Sequence, residues 1–339
     1  MVRTLTTAIC TAVAVSALTI SVFAAEPVTV DTFVRAETDM TMKRYVDQGG
    51  FGKFAHIRQP TPLDKQDVIR MNRDTLYSAG IFDLTTPVTI VKPDSGDRFQ
   101  SMLVISQDHS MEMLEHDPGE FTLTQDGIGS RYVFVIFRTF VNANSEDDIA
   151  KANALQDAIE VRQADEGSFE IPDWDEESLL TLREAINVLA ATRKDTSGYF
   201  GKIDELNPID HLLGTAFGWG GNPVEGAVYE NVVPDQNDGE TPHSLAIAEE
   251  VPVDSFWSIT IYNEKGYMEP NDLGVNAFNS VTAAKNEDGT VSINAGRCED
   301  GRPNCIPITK GWNYVVRLYQ PRQEIISGAW KFPKMKPAK

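Results

Sequence analysis

Between Met71 and Ser78 the chain brings together an amide (Asn72), a guanidinium (Arg73), a carboxylate (Asp74), a hydroxyl (Thr75) and a phenol (Tyr77). The planar fork of Arg73 suits a carboxylate or sulfate, and Asp74 and Tyr77 could exchange protons with a bound molecule. The cluster runs directly into the apolar stretch Ala79-Gly80-Ile81-Phe82-Asp83-Leu84. Charged side chains are seldom buried without partners. These residues therefore form either a hydrogen-bonded corner that fixes the fold or a site.

Further along, Asp108-His109 and His116-Asp117 bracket Glu112 and Glu115. His109 titrates near neutrality and is a candidate acid/base group. The spacing matches no zinc signature, so no metal is expected and the segment reads as a solvated acidic loop. In Gly218-Trp219-Gly220-Gly221-Asn222-Pro223, Trp219 could stack on a sugar or another planar ligand, or plug a core beneath a turn. Alternation over Phe256–Tyr262 puts Trp257, Ile259 and Ile261 on one face, with Ser258, Thr260 and Tyr262 on the other. Over Asn313–Tyr319, Val315, Arg317 and Tyr319 share a face. If the two mixed faces meet, Tyr262, Arg317 and Tyr319 line a polar pocket. The candidate catalytic groups are thus Asp74, Tyr77, His109 and Tyr262. The candidate ligand-binding groups are Asn72, Arg73, Trp219, Trp257, Arg317 and Tyr319. No nucleophile elbow, Walker loop, Rossmann glycine pattern or Cys-x-x-Cys occurs, and no cofactor is expected.

The elements that must position these groups fall into two β regions separated by a helical one. Val88–Val91, Phe99–Ser106 and Tyr132–Val141 read as strands, the last apolar on both faces apart from Arg138 and Thr139 and therefore central. In the second region Phe256–Tyr262, Thr290–Asn294 and Tyr314–Tyr319 read as strands, and Asp288-Gly289 is a turn signal. Between them, Ser145 with Asp148 forms a capping-box pattern, with Ile149, Ala152, Leu155 and Ile159 at helical spacing. Asp175 can cap a second helix with Leu179, Leu182, Ile186 and Leu189 on one stripe. The resulting division is an N-terminal β domain (40–144), a helical linker domain (145–210) and a C-terminal β domain (211–330).

The N-terminus carries a short basic region at Arg3, an apolar run from Ala8 to Val22 and small residues around Val22-Phe23-Ala24. This is the pattern of a signal peptide cleaved after Ala24, placing the mature protein in the periplasm or outside the cell. Two cysteines then remain, Cys298 and Cys305, around a turn-forming hexapeptide. A local disulfide is expected, worth about 2.5 kcal/mol in the chain-entropy account. The formal charge of −20 argues against nucleic acid and against an anionic membrane surface as partners. Nothing in the composition argues against a homo-oligomer.

Two blocks of sequence resemble a known family pair. Arg70-Met71-Asn72-Arg73-Asp74-Thr75-Leu76-Tyr77-Ser78 with Phe82-Asp83-Leu84 is similar to domain of unknown function 1254. Gly218-Trp219-Gly220-Gly221, Phe256-Trp257-Ser258-Ile259-Thr260-Ile261-Tyr262-Asn263, Asn304-Cys305-Ile306-Pro307, Gly311-Trp312 and Val316-Arg317-Leu318-Tyr319-Gln320-Pro321 resemble domain of unknown function 1214. Asn222 stands where the resemblance implies an aliphatic residue. The resemblance implies a mainly β fold with a helical insert: an N-terminal β-sandwich, a small helical domain and a C-terminal jelly-roll-like β-sandwich. It brings no activity, and fold alone cannot supply one. Polar motifs in both halves lead to the expectation of an exported protein binding a small molecule or glycan near the domain interface, with acid/base chemistry as one use of the site. The competing expectation is a non-catalytic structural or assembly protein of the cell envelope, in which the same motifs are buried corners.

Overall fold

The computed structural model describes residues 25–66, 69–193 and 196–338; the expected leader, 1–24, lies outside them. In chain order the elements begin with helix α1 (Phe33–Asp47), strands β1 (Phe54–His56), β2 (Thr75–Asp83), β3 (Val88–Lys92), β4 (Gln100–Ser106), β5 (Met111–Glu115) and β6 (Gly119–Leu123), and the short helix α2 (Gln125–Ile128). Strand β7 (Tyr132–Phe140), helix α3 (Glu146–Asp157), strand β8 (Glu160–Gln163) and helices α4 (Glu176–Ala190) and α5 (Pro208–Gly218) follow. The rest comprises β9 (Ala227–Val232), β10 (His243–Ile247), β11 (Trp257–Tyr262), β12 (Ala277–Asn279), β13 (Val291–Ala295), β14 (Cys305–Ile306), β15 (Asn313–Tyr319), helix α6 (Gln323–Ile326) and β16 (Lys336–Pro337).

Strand β7 lies at the centre of a sheet ordered β1-β2-β7-β4-β5, as its two apolar faces require. On one face Phe82, Met102, Val104, Val133, Val135 and Phe137 pack against Val88, Ile90 and Leu123 of a second sheet, β6-β3-β8, closing a sandwich. β8 comes from the segment expected to be helical, because Glu160–Gln163 pairs with β3 immediately after α3 ends. The other face is divided. Ala79, Ile81, Leu103, Ile105 and Phe134 are covered by α1 and the turn after α5, through Met42 and Trp219. Toward the opposite end, Tyr77, Arg138 and Ser101 form a row across β2, β7 and β4.

The C-terminal part is two four-stranded sheets, β14-β13-β10-β16 and β12-β11-β15-β9, around a core that includes Trp257, Ile259, Ile261, Trp312, Tyr314, Val316 and Leu318. Period-two alternation then sends Ser258, Thr260, Tyr262, Arg317 and Tyr319 out of that core. They point toward the N-terminal sandwich, where Phe99 and Phe140 meet Phe256 and Tyr319 at ring-centroid distances of 5.4, 4.8 and 5.4 Å. Tyr262 with Met268 and Val315 packs on Leu63 and Met71 in a second apolar seam.

The expected helix caps form at both sites. Ser145 Oγ accepts from Asp148 N and Asp175 Oδ1 from Ser178 N. The Asp148 carboxylate does not reach back to complete a capping box; it accepts from Arg98 and from Asn142 N instead. In α4, Leu179, Ile186 and Ala190 are buried, while Leu189 is exposed. Helix α1 is not marked in the sequence because Glu37, Thr38, Asp39 and Thr41 are buried on it among Phe33, Ala36 and Met42. Glu37 pairs with Arg183 at 2.7 Å, and Asp39 accepts from Gln107 and Trp174 at 2.6 and 2.9 Å. Cys298 and Cys305 are disulfide-bonded. Among the described residues no helix is long and apolar enough to cross a membrane.

Candidate functional site

Register brings the two mixed faces of the C-terminal sheet together. Asn279, Ser258, Arg317 and Tyr229 form one row across β12, β11, β15 and β9. Arg317, 4% exposed, donates to Thr260 Oγ1 (3.0 Å), to the Tyr262 hydroxyl (2.7 Å) and to the carbonyl of Arg70 (2.9 Å). Tyr262 in turn donates to the Met71 carbonyl at 2.8 Å. Asn72 closes the set: its amide donates to the Tyr319 hydroxyl at 2.7 Å while its Oδ1 accepts from Asp74 N at 2.8 Å. Burial alone would lower the Arg317 pKa, but Tyr262, Tyr319 and Asp74 reverse this and hold the guanidinium charged. Both phenols are pushed up by burial and stay protonated. The residues expected to line a polar pocket thus grip the 70–72 segment of the other domain, forming an interdomain latch.

Arg73 and Asp74 behave differently. They lie beside the latch on a cleft of about 200 Å³ where the 141–144 loop of the first domain meets the 274–282 segment of the second. Arg73 makes no hydrogen bond or ion pair with any described residue, and its Nε is buried without a partner. Burial pushes its pKa down, an effect that nearby Asp74 opposes. Asp74 is 3% exposed; its Oδ1 accepts from Asn279 Nδ2 at 3.0 Å, and its Oδ2 has no partner. Asn279 is held in place by accepting from Val281 N and Thr282 N. Asn276, 7% exposed, also lines the cleft with an unpartnered Oδ1. A cationic donor and two acceptors thus line one opening with nothing among the described residues to satisfy them. Such orphaned buried atoms are uncommon in folded proteins and call for a reason.

The remaining candidates lie elsewhere. Tyr77 sits on the central row, with the Arg138 guanidinium 6.0 Å from its ring centre. Arg138 donates to Asn222 Oδ1 (2.9 Å) and to the Gly220 carbonyl (2.6 Å), and Asn222 passes the link to the Tyr229 hydroxyl at 2.9 Å. An aliphatic residue at Asn222 could make neither bond. Trp219 is a plug: it stacks on His109 at 5.3 Å, meets Phe134 edge-on at 5.0 Å and donates to Thr38 Oγ1. Trp257 lies in the C-terminal core, 5% exposed.

The segment read as a solvated acidic loop is a correction. Residues 107–110 form a tight hairpin turn, and Met111–Glu115 is strand β5, paired with β4. His109 takes the left-handed conformation there (φ 56°) and is 1% exposed. Gly220 N donates to its Nε2 at 2.9 Å, which leaves the proton on Nδ1; Nδ1 donates to Thr215 Oγ1 at 2.8 Å, and that hydroxyl donates to the His211 carbonyl. The imidazole is neutral and fully committed to bracing α5 against the sheet. The His109 ring and the Arg138 guanidinium thus hold the N–H and the carbonyl of one residue, Gly220.

These histidines give the stability a definite pH dependence. His109 is held well below its ordinary value by burial and by His211, and His116 is pushed down to about 4 by burial and by Lys92. His56 and His211 are also lowered, in each case chiefly by burial. The unfolded chain therefore takes up protons from about pH 6.5 downward while the folded chain does not. Stability is at its full value above that pH and falls as pH drops toward 4. Asp39 and Glu230, both raised by burial, act in the opposite sense as they take up protons. The urea midpoint is expected to fall steadily from pH 7 to pH 5; an unchanged midpoint would show that these rings protonate freely in the folded state.

Near His116, Lys92 is 1% exposed and its Nζ has no hydrogen-bond partner. Lys92→Met keeps the aliphatic stem and removes the orphaned ammonium. It is expected to stabilise the protein by about 1–3 kcal/mol, read as a higher urea midpoint at unchanged slope.

Residues 51–163 match the family described as "Protein of unknown function (DUF1254)", and residues 227–323 the one described as "Protein of unknown function (DUF1214)". No curated protein matches the chain. Among solved structures, the VPA0106 protein from Vibrio parahaemolyticus is similar, with a TM-score of 0.68 and 19% identity over 91% of this chain and 100% of that one. An uncharacterised protein from Burkholderia cenocepacia gives a TM-score of 0.53 and 11% identity, over 91% and 87% of the two chains. At these identities the likeness shows the fold alone. The Asn72–Tyr77 cluster lies inside the first matched region and Trp257, Tyr262, Arg317 and Tyr319 inside the second, so the latch joins the two regions that mark this chain as a two-domain member of the DUF1254/DUF1214 family.

Proposed function

We propose that the protein binds a small polar molecule in the cleft between its two domains, with Arg73 as the principal contact. The observation that carries this reading is the Arg73 guanidinium: partly buried, without a partner among the described residues, and on an open cleft. Domain borders are favoured places for ligand sites. At about 200 Å³ the cleft is smaller than the ordinary range for drug-sized ligands, and a single sugar or comparable molecule is the right scale. Asp74 Oδ2, a free carboxylate oxygen beside that position, is the group available for a proton-transfer step on the bound molecule. The reading places the mature chain in the periplasm or outside the cell, which the Cys298–Cys305 disulfide supports.

A structural role is the better reading for Asn72, Tyr262, Arg317 and Tyr319, whose polar groups bond across the domain border. The two readings therefore divide the residues between them. Ala143 lines the cleft on a surface loop, so Ala143→Trp fills the opening without touching the latch. Small polar ligands that raise the melting temperature of the parent protein are expected to lose that effect in Ala143→Trp. If Ala143→Trp still responds in full, the ligand does not occupy this cleft.

A further inference from the structure

We infer that the molecule taken by this cleft is a sugar acid of monosaccharide size: a carboxylate held by Arg73, with neighbouring hydroxyls donating to Asp74 Oδ2 and Asn276 Oδ1. This rests on the cleft being the binding site and goes on to name the class of ligand. The unsatisfied groups set the complement. Arg73 requires an acceptor and, as a cation with a planar fork, is best met by a carboxylate. Asp74 Oδ2 and Asn276 Oδ1 accept only, so the same ligand must carry hydrogen-bond donors. A hydrocarbon acid lacks those donors, and a neutral sugar lacks the anion.

Two ligand types supply both features, a hydroxy-acid and a zwitterionic amino acid, and charge decides between them. Arg73 and Asp74 are the charged residues that line the cleft. Arg317, whose three hydrogen bonds all go to neutral oxygens, has Asp74 as the acidic group that acts on its charge. Two guanidiniums thus share one carboxylate, leaving the site with one positive charge in excess. A monoanion neutralises it. A zwitterion brings no net charge and would add an ammonium to a site where two guanidiniums already outnumber the one carboxylate. The neutral amides of Asn142 and Asn144 on the facing loop are suited to the remaining sugar hydroxyls.

The test is isothermal titration of the parent protein with D-galacturonate and D-glucuronate, each beside its neutral parent sugar, and with L-serine as the zwitterion. One of the uronates is expected to bind at least about tenfold more tightly than its neutral sugar, the effect of a hydrogen bond to a charged group. Arg73→Ala is expected to erase that preference while leaving the weak neutral-sugar affinity, and Arg73→Lys to restore only part of it. Equal affinity for uronate and neutral sugar, a preference for L-serine, or no uronate binding at millimolar concentration would each overturn the assignment. Ala143→Trp separates the two levels. If a neutral sugar or serine binds the parent at least as tightly as the uronates and Ala143→Trp abolishes that binding, the cleft stands and the ligand class fails; if a uronate binds equally well to Ala143→Trp, the cleft itself is wrong.

Discussion

Arg317→Ala is expected to lower the unfolding free energy by about 3–5 kcal/mol, the usual cost of breaking a buried charged network by removing one member. The substitution takes away donors to Thr260 Oγ1, the Tyr262 hydroxyl and the Arg70 carbonyl at once. Arg70 is itself in the left-handed conformation (φ 55°), so the latch also holds a backbone shape that a free loop would abandon. Removing the cation leaves Asp74 with less to oppose its burial. Urea unfolding followed by tryptophan fluorescence reads the loss directly. Arg317→Lys should recover only a small part, because a single ammonium cannot reach three acceptors placed for a fork. A cost below about 1 kcal/mol would mean that the latch contributes little beyond the aromatic seam of Phe99, Phe140, Phe256 and Tyr319.

Arg73→Ala, on the cleft beside the latch, is expected to behave in the opposite way. No protein group loses a partner, because Arg73 has none, and a partly buried cation disappears. Stability should stay within about 0.5 kcal/mol of the parent, the range of substitutions that break no structural feature. Affinity for an anionic ligand should fall roughly 10- to 150-fold, corresponding to a hydrogen bond with a charged group. Thermal unfolding with and without ligand measures both quantities in one series.

Asn72 and Arg73, side by side in sequence, thus have different fates, the one in the latch and the other on the cleft, and sequence alone could not separate them. Density of polar groups marks Asn72–Tyr77 as special whether they are corner or site. What decides is register: whether Arg317 lands opposite Ser258, with Thr260 and Tyr262 within reach, depends on how β15 pairs with β11. Alternation did reveal that Tyr262, Arg317 and Tyr319 leave their own core, because period two is a local property. The partner they find across the border, Asn72 and the carbonyls of 70 and 71, lies far away in the chain. Strands β7 and β15 were legible as unbroken apolar or alternating runs. Helix α1 was not, because Glu37, Thr38, Asp39 and Thr41 are buried on it among the apolar residues and blur the contrast between its faces. His109 carried the wrong signal for a related reason: a histidine amid acidic residues reads as solvated until the turn tucks its ring beneath Trp219. Asn276, which completes the cleft, had no mark in the sequence; its unsatisfied oxygen exists only once Arg73 and Asp74 are placed opposite it.

Urea unfolding of Arg73→Ala beside Arg317→Ala, under one set of conditions, tests most directly whether this polar cluster divides into a latch and a ligand site. The account predicts that Arg317→Ala loses about 3–5 kcal/mol while Arg73→Ala stays within about 0.5 kcal/mol of the parent. Comparable losses in the two variants would contradict it and make the whole cluster a structural corner.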